Sequence, residues 1–174
     1  MKRYISILFM IIICFIMQTT IFRYLELAHI SPNLVLTVVA ISGFMYGRKL
    51  GMFSGVIAGL LIDLMYNDVV GVCIIIFTAV GYVNGMANKL YFKDDLSIPI
   101  IFMGISDIAY GILYYICTFL LRGRLNFFSY FKGVILPEMI YTLITGVVIF
   151  KIIHILDEKL YPPVEVPLEN KKTY

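Results

Sequence analysis

Leu50-Gly51-Met52-Phe53-Ser54-Gly55-Val56-Ile57-Ala58-Gly59-Leu60-Leu61-Ile62-Asp63-Leu64-Met65-Tyr66 carries a single charge in seventeen residues, and three glycines spaced by four lead up to it. On a helix, residues four apart are neighbours, so Gly51, Gly55, Gly59 and Asp63 form one row. The run is long and apolar enough to cross a bilayer, and a G-x-x-x-G row in such a run marks close helix contact in lipid. Asp63 therefore belongs to the packed face and points away from lipid; the row either packs internally, the reading its aspartate favours, or receives a partner helix. The four-residue spacing reaches back through Gly47 to Gly43, and Gly81 and Gly85 repeat it further on.

The whole chain shares this character. Of 174 residues, 61% are apolar and 14% charged, whereas soluble domains run at about 45–50% and about 25%. A chain this short cannot bury so much apolar surface within itself, and a bilayer is the solvent that accepts the excess. The reading is an all-α, polytopic membrane helix bundle of about six transmembrane helices. Residues 1–156 form the membrane domain, and 157–174 form a flexible cytoplasmic tail with Pro162, Pro163 and Pro167.

Helix 1 is expected over Tyr4–Phe22, nineteen residues without charge. A signal peptide would have a shorter apolar core and a small-residue cleavage site, and the run instead ends in Gln18-Thr19-Thr20-Ile21-Phe22. Helix 2 is expected from Ser31-Pro32 to about Gly47, with serine as its cap and proline in its first turn. It is short for a span, so Arg48 and Lys49 would snorkel at its end. Helix 3 covers about Leu50–Tyr66 and helix 4 about Val69–Asn88. After a polar loop from Lys89 to Leu96, helix 5 covers about Ser97–Leu121. An aromatic loop with Arg122, Arg124, Phe127, Phe128, Tyr130 and Phe131 precedes helix 6, about Lys132–Leu156. That loop is either bedded in the headgroup region or a contact surface for a partner.

With both termini inside, ten Lys and Arg residues fall on the inner side (Lys2, Arg3, Arg48, Lys49, Lys89, Lys93, Lys151, Lys159, Lys171, Lys172) and four outside (Arg23, Arg122, Arg124, Lys132). Basic residues collect on the cytoplasmic side, which favours N-in/C-in. They are spread too thinly for nucleic-acid binding, so no nucleic-acid partner is expected.

Three acids interrupt the apolar runs: Asp63, Asp107 and Glu138. Counting from the helix ends puts Asp63 and Glu138 in the outer half and Asp107 nearer the middle. An acid at mid-bilayer costs about 2.5–3.5 kcal/mol, so each needs an internal partner or water. Two readings stand side by side. The acids line a shared polar or proton-linked cavity, or each accepts hydrogen bonds that fix helix packing. Enzyme chemistry finds no footing. His29 and His154 are the only histidines, and no metalloprotease, nucleophile-elbow or phosphate-loop spacing is present. Cys14, Cys73 and Cys117 lie singly in apolar runs, without ligand spacing. No cofactor, metal or catalytic residue is expected.

The order Pro32-Asn33-Leu34-Val35-Leu36, Tyr46-Gly47, Gly51 to Gly59, Gly59-Leu60-Leu61-Ile62-Asp63, Gly71 and Gly81-Tyr82, with Gln18 near the end of helix 1, resembles the bacterial rod shape-determining protein MreD family. The motifs cover the first half of the chain, and the second half agrees in hydropathy and length. Asn33 stands where the family often has Asp. The resemblance implies a non-enzymatic scaffold of the cell-elongation machinery in the bacterial cytoplasmic (inner) membrane. Its partner would be an MreC-like single-span protein, linked indirectly to an MreB-like filament and to peptidoglycan synthases. It also implies a fold similar to the substrate-binding subunits of energy-coupling-factor transporters, which makes a small-solute-binding subunit the alternative. Those subunits typically dock through an Ala-x-x-x-Ala face on helix 1, and helix 1 here has no alanine.

Overall fold

The computed structural model describes residues 2–24, 30–66, 70–90, 97–118 and 127–160. His29, the Lys93-Asp94-Asp95 loop, Arg122, Arg124 and the tail from 161 lie outside them. Six helices make up the described residues. They are α1 (Lys2–Tyr24), α2 (Leu34–Tyr46), α3 (Arg48–Tyr66), α4 (Val72–Met86, continued by a 3₁₀ turn Ala87–Leu90), α5 (Ser97–Thr118) and α6. Helix α6 runs unbroken over 127–160 as an α-turn Phe127–Tyr130, a π-segment Phe131–Ile135 and an α-helix Leu136–Leu160. Five of the six are long and apolar enough to cross a membrane, and the sixth is α2. The chain is a polytopic membrane helix bundle.

Helix α2 departs most from expectation. Its 13 residues rise only about 20 Å, against a hydrocarbon core of about 30 Å. It is also apolar on every side, the pattern of a helix buried all round, and Leu34 through Met45 are all buried. It touches each of the other five helices and forms the axis of the bundle. Its cap is Asn33, not Ser31: the Asn33 side-chain oxygen accepts from Leu36 N at 3.1 Å, and Pro32 stays outside the helix. Arg48 and Lys49 do not extend α2 but open α3, because Gly47 turns the chain at φ 88°, a conformation open to glycine.

The resulting α2–α3 hairpin is pinned by a Ser42–Ser54 hydrogen bond of 2.7 Å. Asn88 donates to the carbonyls of Phe44 and Met45 at 2.7 and 2.9 Å, closing the end of α2 from α4's extension.

The expected aromatic loop before helix 6 is, over its described part, the first turns of α6. Pro137 has no N–H to offer the carbonyl four residues earlier and its ring crowds it, and the widened π-turn just upstream relieves that conflict. At its other end α6 continues beyond Leu156, so residues 157–160 are helical.

Candidate functional site

A helix start buried in a bundle leaves N–H groups that water cannot reach, and each needs an acceptor. Around α2 all the leading donors find one. Asn33 N donates to Thr142 Oγ1 of α6 at 3.0 Å, and Leu34 N to Pro32 O at 3.1 Å. Val35 N donates to Gln18 Oε1 of α1 at 3.1 Å, and Leu36 N to the Asn33 cap. Side chains from two neighbouring helices, together with the Asn33 cap, thus hold a helix terminus inside the bundle.

Because α2 is short, a space opens over its start. A cavity of about 570 Å³ is lined there by Gln18, Ser31, Asn33, Ile62, Met65, Tyr66, Phe77, Tyr110, Tyr114 and Glu138. Tyr110 and Tyr114 are stacked at 5.6 Å, with Phe77 edge-on to Tyr110. Asp107 lies behind this wall, 3% exposed, and hydrogen-bonds the same Thr142 that receives Asn33 N. Asp107 and Glu138 are within electrostatic reach of each other. The structure therefore brings two of the three acids together.

Asp63 is differently employed. Fully buried, it accepts from the backbone N–H groups of Gly71 (2.8 Å), Cys73 (3.0 Å) and Ile74 (3.1 Å). It caps α4 from a neighbouring helix, where α4's own N-cap, Gly71, supplies no side chain. The glycines below it face the backbone of α4. A Cβ at Gly55 would lie 2.5 Å from Phe77 O, and one at Gly59 2.5 Å from Ile74 Cα. Gly51 and Gly81 meet carbonyl to glycine, and Gly85 is against Arg48.

On the lipid side, an apolar groove of about 470 Å³ separates α1 from α6. Phe9, Ile13, Met17, Val148, Ile149 and Ile152 are among its walls, and Leu34 of α2 lies at its base. Phe22 against Tyr141 closes one end. At the other, Tyr46 OH donates to Asp157 at 3.1 Å while Arg3 lies over the Tyr46 ring.

The aromatics at the start of α6 are partly engaged. Tyr115 packs against Phe127 and Tyr130, and Phe127 against Phe131. Phe128 projects outward beneath Lys132.

A sequence profile for the rod shape-determining protein MreD family matches residues 1–160, all but the tail. The chain belongs to the MreD family. It is accordingly a membrane component of the machinery that determines rod shape, and its exposed apolar helices face lipid. No curated protein and no solved structure gives a match.

In this MreD-family bundle several structural residues escaped sequence reasoning, among them Ser42, Ser54, Asn84, Asn88 and Ser106. Asn84 donates to Ser106 Oγ at 2.7 Å and joins α4 to α5. Their one signal was an uncharged polar side chain isolated in an apolar run, the kind that bonds across helices in lipid.

Proposed function

We propose that this MreD-family protein is a non-enzymatic scaffold of the cytoplasmic membrane, oriented N-in/C-in, that binds the helix of an MreC-like single-span partner in the groove between α1 and α6. The observation that carries this reading is the groove itself. It is apolar along its walls and stretches from Ser6 and Leu156 at one end to Phe22 at the other. In lipid, helix association comes from packing and not from the hydrophobic effect, so a preformed cleft that lets a second helix approach closely favours one partner over solvating lipid. Complex formation would stabilise both proteins by mass action. The region of Arg122, Arg124, Phe127, Phe128, Tyr130 and Phe131 is the second contact, and among its described rings Phe128 is the most exposed.

The test places a photo-crosslinking residue at Ile13 or Val148 in the groove, and at Leu64 or Ile75 on the exposed faces of α3 and α4. Irradiation in cells should join a single-span protein to the first pair and leave the second pair with lipid alone. Equal capture at all four positions would remove the groove from the account. Recovery of an ATPase and a coupling subunit would favour the transporter alternative.

A further inference from the structure

The polar cavity has a composition that partner binding in the groove does not explain. Glu138 lines it and has neither a hydrogen-bond nor an ion-pair partner among the described residues. Asp107, at its back, keeps one carboxylate oxygen buried with no hydrogen bond. Among the described residues, no Lys, Arg or His lines the cavity. Two neighbouring carboxyls without a cation are an electrostatic imbalance inside a membrane protein, where acids pair or mark a binding path. A second observation is independent of the acids. Asn33 is 4% exposed, lines the cavity and spends its carbonyl oxygen on Leu36 N. Its amide N–H₂ has no partner among the described residues, and the same holds for Gln18. The cavity thus presents unpaired acceptors and unpaired donors together, beside an aromatic wall of Tyr66, Phe77, Tyr110 and Tyr114.

We propose that this cavity binds an organic ammonium compound that also carries oxygen acceptors, of the amino-alcohol class. The ammonium group answers Glu138, with Asp107 behind it, and rests against the tyrosine rings, whose faces attract cations. The hydroxyl oxygens accept from Asn33 and Gln18. A cavity of about 570 Å³ has the size of small-molecule sites, and its aromatic walls suit an organic cation better than a bare metal ion, which needs a shell of oxygens. Two sources supply the same chemistry: a soluble amine, or the ammonium head of an aminolipid. The site is independent of any partner in the groove.

The experiment uses the full-length protein in detergent. Unfolding is followed with a thiol-reactive dye that reports the buried Cys14 and Cys73. Ethanolamine and triethanolamine should raise the melting temperature saturably. Glycerol, and sodium chloride at equal ionic strength, should not. Glu138→Gln should weaken ammonium binding by about tenfold or more, the worth of one charged hydrogen bond. Saturation-transfer NMR of the wild-type protein with the same amines reads binding directly, whatever the variant does to folding. In nanodiscs, a Glu138-dependent stabilisation by phosphatidylethanolamine over phosphatidylglycerol would identify the lipid source. A response to the free amines alone would identify the soluble one. Lack of any response to amine or aminolipid, an equal response to sodium, or an undiminished response in Glu138→Gln would each overturn the proposal.

Discussion

Asp63 accepts three backbone N–H groups at the start of α4, so its carboxylate replaces the cap that Gly71 lacks. Asp63→Ala leaves those donors without an acceptor in a buried setting and should destabilise the bundle by about 2–4 kcal/mol. Asp63→Asn, which keeps one acceptor oxygen, should cost less than half of that. Chemical denaturation in detergent, followed by circular dichroism, measures both, and equal losses would show that one acceptor oxygen in the native geometry is not enough and that both carboxylate oxygens are needed. Asn88 does the converse job at the end of α2, donating to two carbonyls. Asn88→Ala should cost about 1–2 kcal/mol in the same assay, whereas Asn88→Asp, which removes the donors and adds charge beside carbonyl oxygens, should cost more.

At the scale of the helix, the glycine row fixes how near α3 and α4 can come. Gly51 and Gly81 meet at backbone distance, and what an added Cβ would strike is main chain, which has no rotamer to move aside. Gly51→Ala and Gly81→Ala should each destabilise by about 1–3 kcal/mol, the usual cost of overpacking. Gly104 is the internal control. A Cβ there would stand 3.6 Å from Leu143 methyls, an ordinary contact, so Gly104→Ala should be neutral or slightly stabilising through helix propensity. Melting temperatures of the three variants decide the matter, and a Gly104→Ala loss equal to that of Gly51→Ala would mean that glycine matters here through flexibility and not through closeness.

For the whole molecule, α2 is the central device. It is enclosed by five helices, stops short of the bilayer thickness, and so leaves a polar cavity over its start. The α1–α6 groove lies beside the same axis. Val148 lines that groove and is 58% exposed, so Val148→Trp should fill the cleft without disturbing the interior. Co-purification of the single-span partner should fall several-fold while expression and melting temperature stay near wild type. Unchanged co-purification would place the partner elsewhere.

The sequence by itself determined what local chemistry controls: the helical class from apolar runs, the α3 face from glycines four apart, the buried side of Asp63 from its place in that row, and the family from the order of those motifs. It misplaced what depends on neighbours. Ser31 and Asn33 are both competent caps, and only the approach of Gln18 and Thr142 from α1 and α6 shows which one starts the buried helix. Phe127 to Phe131 read as part of the loop that follows Arg122 and Arg124, yet packing on Tyr115 carries the helix back through a π-turn instead. Asp107 and Glu138 are 31 positions apart in the chain, and no periodicity joins them. Their meeting is set by how α5 and α6 cross α2, because distances between helices belong to tertiary packing while the face of a single helix is already written in its spacing.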